Sequence, residues 1–179
     1  FLNDWGLGKH FVNGAFTEAD VYPDHHAIRY ALKSDENDPD SSFKAEPNRP
    51  PGKNKRKRTK GELKDQMCIQ GITTFHGTSA FYLILILSMR RLIRGSQGKD
   101  SILGVMMSLT LEGAFSYAPF CRLLANLPPL QLVIECDVQR LFKHKHMGIS
   151  ARENWHQMTA VIVRPSEVTS LVKVVDKHG

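Results

Sequence analysis

A charged, proline-containing stretch at residues 34–66 limits what this chain can fold into. It holds an acidic cluster, several prolines and the basic run KNKRKRTK at 53–60, and apolar residues are scarce in it. A segment of this kind cannot bury enough surface to offset the entropy lost on ordering. We therefore predict a flexible linker at 34–66. Residues 67–179 are left to form the globular domain, and residues 1–33 form an N-terminal segment of uncertain order.

From Met67 onward the apolar pattern predicts short strands and two helices. Strands are predicted over 67–75, 102–108, 130–138, 158–163 and 171–175. One helix is predicted over about 80–93, capped by Ser79 and ended by Gly95, and another over 111–117. Short strands with two early helices favour an α+β domain built on a mostly antiparallel sheet and preceded by a flexible extension.

The composition excludes several classes of protein. Three cysteines are too few for a disulfide scaffold, and they favour a reducing intracellular location, nuclear or cytoplasmic. The apolar run at 81–87 is too short to cross a membrane and leads directly into arginines, so we predict no membrane association. The chain begins at Phe1 rather than Met, which is typical of a fragment or a processed form.

The basic run at 53–60 places six Lys or Arg in eight positions, in a chain of net charge +6. Its functional interpretations are a nuclear-import signal and a contact with nucleic-acid phosphates. A solvated charged linker explains the run equally well. No aromatic residue interleaves with it, so base stacking is not indicated.

Common catalytic and metal-binding motifs are absent from the sequence. G-x-S-x-G, the P-loop and G-x-G-x-x-G do not occur, nor do the C-x2-C and H-x3-H spacings of zinc sites. We therefore predict no metal site. Cys68 and Cys136 lie inside predicted strands, where buried and inert thiols are expected.

One ordered set of motifs points to chemistry. F-H-G-T-S at 75–79 closes a predicted strand and opens a helix, and G-V-M-M-S at 104–108 and L-E-G-A-F-S-Y-A at 111–118 follow. The set resembles the ADP-ribosyltransferase fold of the poly(ADP-ribose) polymerase type. That family has H-G-T or H-G-S at a strand end, then a G-[IV]-Y-x-[SA] strand, then a helix ending in S-Y. The resemblance covers roughly residues 67–179, and Tyr117 lies eleven positions after Met106, at the family's spacing between its two tyrosines.

The resemblance implies a split, mostly antiparallel sheet and NAD as a substrate. The backbone of Gly77 would pair with the nicotinamide carboxamide, because a glycine lets the ligand approach closely. His76 would bond a ribose hydroxyl, and Thr78 would orient His76. Tyr117 would stack on the nicotinamide ring, and Ser108 would belong to the same cofactor-binding set.

Two departures from the family pattern concern catalysis. Met106 stands where the strand tyrosine is expected, and residues 157–160 contain no acid where the family places a glutamate. Gln157 is the polar substitute in that segment, and Glu153 lies just upstream. The candidate catalytic residues are therefore His76, Gln157 and Glu153. Loss of the glutamate fits transfer of a single ADP-ribose and argues against polymer synthesis.

Three functions remain compatible with the sequence. The first is an NAD-dependent mono-ADP-ribosyltransferase acting on a protein or nucleic-acid acceptor. The second is a catalytically degenerate module that binds NAD, ADP-ribose or a partner. The third is a basic structural or nucleic-acid-associated protein, in which His76 and Tyr117 are ordinary structural residues. The first two require His76 and Tyr117 to face one cleft that Gly77 lines.

Overall fold

The computed structural model describes residues 6–12, 21–33, 66–67, 72–92, 104–139, 141–144, 148–151 and 156–166. The strands in these ranges are β1 (Val21–Tyr22), β2 (Ala27–Ala31), β3 (Gln66–Met67), β4 (Ile72–Thr78), β5 (Val105–Met107), β6 (Leu130–Val138), β7 (Leu141–His144), β8 (Gly148–Ala151) and β9 (His156–Pro165). The α-helices in the same ranges are α1 (Leu83–Met89) and α2 (Leu111–Phe115). Short 3-10 helices span Gly8–His10, Pro23–His25 and Ala80–Tyr82.

The strands form two sheets. One has the order β1-β2-β9-β6-β4 and the other the order β3-β7-β8-β5. The paired strands in both are antiparallel. A single bridge between Phe75 and Ser108 joins the edge strand β4 to the edge strand β5. The predicted α+β class, with mostly antiparallel sheets and two short helices, is confirmed.

Strand β6 lies between β9 and β4 and is covered on both faces, which explains its nearly continuous apolar sequence. Leu132 and Ile134 belong to a core cluster with the buried residues of α1, on what we call the α1 face of the sheet. Val133 and Ile162 pack with α2 on the opposite face, which we call the α2 face. The strand predicted over 130–138 is confirmed.

Helix α1 begins and ends for local reasons. The Ser79 hydroxyl accepts a hydrogen bond from the Phe81 N–H at 3.4 Å, and a 3-10 turn leads into the helix. The helix ends at Met89 because Arg90 adopts a left-handed conformation, with φ of 54°. The predicted extension of this helix to residue 93 is therefore wrong, and Gly95 lies outside the described residues. No helix in the described ranges is long and apolar enough to cross a membrane.

The segment predicted as one strand over 67–75 is divided between the two sheets. β3 ends at Met67 and pairs with β7, whereas β4 begins at Ile72 and pairs with β6. The N-terminal segment also enters the fold, because β2 pairs with β9 with Ile28 opposite Val163. This pairing joins residues 27–31 to the five-stranded sheet.

The remaining predicted elements differ from the structure by a few residues. β5 is shorter than the predicted strand at 102–108, and α2 ends two residues before the predicted 117. β9 extends two residues beyond the predicted 158–163 at each end. The predicted strand at 171–175, the basic run at 53–60, Cys68 and Glu153 lie outside the described residues. Cys136 is fully buried on the α1 face, and that burial raises the pKa of its thiol.

Candidate functional site

A cleft of about 760 Å³ lies where β4 and β5 separate, within the size range of small-molecule sites. Residues from β4, β5, α2, β8 and the adjoining turns line it: Phe75, His76, Gly77, Met106, Met107, Ser108, Leu109, Thr110, Gly113, Ala114, Ser116, Tyr117, Gly148 and Ile149. Four of the residues that the motifs selected are among them, namely His76, Gly77, Ser108 and Tyr117. The described lining contains no Asp, Glu, Lys or Arg.

The edge of β4 offers unused backbone groups to this cleft. Phe75 and Ser108 exchange both of their backbone hydrogen bonds, at 2.8 and 2.7 Å. Backbone groups alternate in direction along a strand, so Gly77 directs its N–H and C=O toward the same edge as Phe75. Among the described residues, pairing between β4 and β5 stops at the Phe75–Ser108 bridge. Gly77 therefore presents one donor and one acceptor side by side to the cleft.

Gly77 must be a glycine because of helix α2. A Cβ atom at this position would lie 2.0 Å from the carbonyl oxygen of Ala114 and 3.0 Å from its carbonyl carbon. Gly77 lies opposite Val133 on the α2 face, so the helix rests directly on the strand. The family resemblance predicts a glycine here for ligand approach, but the close approach of α2 is sufficient to require it.

His76 is held in one orientation by the backbone of β5. Its Nδ1 donates to the Met106 carbonyl oxygen at 2.8 Å, and since a carbonyl only accepts, Nδ1 carries the hydrogen. Burial lowers the pKa of His76 below its ordinary value of 6.5, and the bond to Met106 opposes this effect only in part. The imidazole is therefore neutral at pH 7, with a lone pair on Nε2.

His76 lines the cleft, and Nε2 is the ring nitrogen that its bond to Met106 does not use. No hydrogen bond from a described residue reaches this atom. The described residues also contain no fully buried side-chain nitrogen or oxygen without a partner, so Nε2 retains some exposure. A neutral acceptor in this position can receive a hydrogen bond from a ligand hydroxyl.

The predicted support of His76 by Thr78 does not take the form of a hydrogen bond. Thr78 lies two residues further along β4, opposite Leu132, and no hydrogen bond joins it to the imidazole. The Met106 carbonyl holds the ring instead. Met106 makes this contact through its backbone, so any residue at this position could make it.

The Ser108 side chain is held by hydrogen bonds, whereas the Tyr117 ring is exposed to solvent. The Ser108 hydroxyl donates to the Thr110 carbonyl at 2.8 Å and accepts from the Thr110 N–H at 3.1 Å, so it is engaged in the turn before α2. Tyr117 follows α2 and is 81% exposed, which leaves its ring free to cover a flat ligand.

Arg164 on β9 holds α2 against the sheet through contacts with side chains of both. Tyr117 follows α2 in the chain. The guanidinium carbon of Arg164 lies 3.8 Å from the centre of the Phe115 ring, and the guanidinium donates to both oxygens of Glu112 at 2.8 and 3.0 Å. Its Nε donates to Gln131 Oε1 at 2.9 Å. The Gln131 amide in turn donates to the carbonyls at the end of α2, from Phe115 at 3.0 Å and Ala118 at 2.7 Å.

Replacing Arg164 with Met is expected to lower the free energy of unfolding by about 2 kcal/mol, because the cation–π contact and the hydrogen bonds to Gln131 and Glu112 are lost together. Urea unfolding of the full chain measures this loss. Arg122→Met is the matched control, since Arg122 is exposed and makes one weak bond, to the Ala125 carbonyl at 3.4 Å. Equal stability of the two variants would contradict the role given to Arg164.

Gln157 is not brought to the cleft. It is exposed on β9 opposite Asp137, which is itself opposite Thr73 on β4. Strand spacing and rise place its Cα about 14 Å from that of His76, on the α2 face rather than the α1 face. Its predicted role as a substitute for the family's glutamate is not supported by this position.

The sequence motifs do not identify the polar residues that support the site. Gln131 and Glu135 interrupt the apolar run LQLVIECDV, and both are buried, with 6% exposure each. A polar residue inside such a run signals a buried partner. The partners, Arg164 and Arg29, come from distant parts of the chain and have no local signature.

Comparison of the chain with models of protein families and with curated proteins finds no match.

Proposed function

We propose that the cleft binds the nicotinamide-ribose end of NAD, and that the protein has an ADP-ribosyltransferase-type fold and is a mono-ADP-ribosyltransferase-like protein. One observation carries the proposal. Gly77, whose N–H and C=O have no partner among the described residues, lines the same cleft as Tyr117 and as His76, whose Nε2 also has no described partner.

Each group has a complement in nicotinamide riboside. A primary carboxamide offers a donor and an acceptor that match the N–H and C=O of Gly77. The exposed ring of Tyr117 supplies a stacking surface for the flat pyridine. The neutral Nε2 of His76 accepts from a ribose hydroxyl, which fixes the sugar relative to the ring.

Transfer would break the bond between the nicotinamide nitrogen and C1 of the ribose. Nicotinamide leaves with the electron pair, and an acceptor oxygen or nitrogen bonds to C1 as it loses its proton. The positive charge that develops on the sugar is normally stabilised by a carboxylate. The described residues of the cleft would supply the groups that bind and orient NAD.

A second candidate, a module that binds NAD or ADP-ribose without turnover, is favoured by the same lining. No acid is present among the described residues of the cleft, and Gln157 lies about 14 Å away by strand geometry. Glu153 lies outside the residues that the structure describes. Nicotinamide release decides between the two candidates.

The experiment incubates the full chain with NAD labelled in the adenylate half, and scores nicotinamide release and label on protein or added nucleic acid in one tube. A transferase releases nicotinamide and transfers label, and His76→Ala abolishes both. Thr73→Ala, an exposed change on the same strand, should leave both unchanged. NAD binding without release would establish the binding module, and absence of binding would refute both candidates.

NAD affinity is expected to depend on the protonation of His76. Burial places its pKa below 6.5, so affinity should be constant around pH 7 and fall about tenfold per pH unit below the lowered pKa. The unfolded chain binds the proton at a higher pH than the folded chain, so stability also decreases as the pH falls below 6.5. Titration calorimetry between pH 5 and 8 measures the effect, and an affinity that rises on acidification would contradict the acceptor role of Nε2.

A further inference from the structure

Pairing between β4 and β5 stops at the Phe75–Ser108 bridge, although both strands continue beyond it. In an antiparallel pair, hydrogen-bonded residues recur at every second position. After Phe75 and Ser108, the next such pair would therefore be Gly77 and Met106. The structure has no backbone bond between those two residues, although both lie in the described ranges.

The Met106 carbonyl is occupied by a side chain instead. His76 Nδ1 donates to it at 2.8 Å. In a continued ladder, that carbonyl would accept from the Gly77 N–H. The imidazole thus takes the acceptor that would otherwise close the strand edge over the cleft.

We infer that His76 is a positioning residue that keeps the cleft open, because its Nδ1–H captures the Met106 carbonyl and so prevents β5 from pairing with Gly77. This role belongs to Nδ1, whereas the proposed contact with ribose belongs to Nε2. The two roles of one side chain are therefore separable by substitution. The inference concerns the protein without ligand and goes beyond NAD binding.

Three forms of the full chain separate the roles. His76→Ala removes both nitrogens. His76→Asn keeps an N–H donor close to the position of Nδ1 but has no group at Nε2. The readout is solvent exchange of the Gly77 amide, followed by NMR on glycine-labelled protein without NAD.

In the wild type the Gly77 amide should exchange rapidly. In His76→Ala it should exchange at least tenfold more slowly, since the freed Met106 carbonyl can pair with it. In His76→Asn it should exchange as rapidly as in the wild type. The Ser108 amide, bonded to the Phe75 carbonyl at 2.7 Å, is the protected reference in all three proteins.

A Gly77 amide that exchanges as fast or faster in His76→Ala would overturn the inference, and so would a Gly77 amide already protected in the wild type. If His76→Ala does not fold, the ring nitrogens of the wild-type protein decide. Their NMR shifts should show the neutral tautomer with hydrogen on Nδ1, and hydrogen on Nε2 would overturn the inference. NAD can fail to bind while these results hold, so this inference and the proposed function fail independently.

Discussion

Gly77→Ala is expected to lower the free energy of unfolding by about 3 kcal/mol, at the upper end of the usual cost of overpacking. The added methyl carbon would lie 2.0 Å from the carbonyl oxygen of Ala114. That oxygen is backbone and cannot rotate away as a side chain could. Helix α2 must therefore lift from the sheet, which also displaces Tyr117. Urea unfolding measures the stability, and NAD binding should be lost in the fraction that remains folded.

Gly113→Ala is the matched control for this substitution. Its added carbon would meet the hydroxyl oxygens of Ser108 and Thr110, which are side-chain atoms that can rotate away, although Thr110 would then lose its capping bond from the Gly113 N–H. Alanine is also favoured over glycine within a helix by up to about 1 kcal/mol. We therefore expect Gly113→Ala to cost less than about 1.5 kcal/mol. If Gly77→Ala were equally well tolerated, the close packing of α2 on β4 would be contradicted.

Arg29→Met is expected to lower the free energy of unfolding by about 3 kcal/mol at pH 7, because it leaves the buried carboxylate of Glu135 without its cation. Arg29 donates to Glu135 through Nε at 3.2 and 3.0 Å and through a terminal nitrogen at 2.6 Å. Thr159 adds a fourth bond at 2.8 Å. Burial raises the pKa of Glu135, but the bonds from Arg29 and Thr159 outweigh it and hold the pKa below 4.5.

The difference in unfolding free energy between the wild type and Arg29→Met is expected to depend on pH. In the wild type, the lowered pKa contributes stability above about pH 4.5, which is lost as the pH falls through the folded pKa. In Arg29→Met burial dominates, so the pKa of Glu135 is raised and acid favours the folded form. The stability gap between the two proteins should therefore narrow from pH 7 to pH 5. The double variant Arg29→Met with Glu135→Gln should recover at least half of the loss, and a double variant as unstable as the single would contradict the account.

The elements that the sequence predicts best are those with consistent local patterning. β6 matches its predicted bounds because both of its faces are buried and most of its residues are apolar. α1 ends before its predicted boundary because Arg90 adopts a left-handed conformation. An arginine does not predict this conformation, which is typical of glycine. β2 has no clear hydrophobic period in the sequence. Its place in the sheet depends on its pairing with β9, which is distant in the sequence, as well as on its pairing with the neighbouring β1.

The candidate site, like the fold, is predicted from the sequence only where local motifs determine it. The motifs around His76, Gly77, Ser108 and Tyr117 select residues that the structure places along one cleft. Gln157 was selected from its position in a motif, but strand register and pleat put it elsewhere. The contacts that hold the site in place, from Arg164 to α2 and from His76 to Met106, depend on pairing between distant segments. Spacing in the sequence does not report such pairings.

The most direct test of the central claim is a calorimetric titration of NAD into the full chain, repeated with His76→Asn and Tyr117→Ala. The account predicts binding of one NAD per chain. His76→Asn should bind at least tenfold more weakly because it lacks Nε2, and Tyr117→Ala about tenfold more weakly because the stacking surface is lost. Absence of binding to the wild type, or equal affinity in all three proteins, would contradict the assignment of this cleft to NAD.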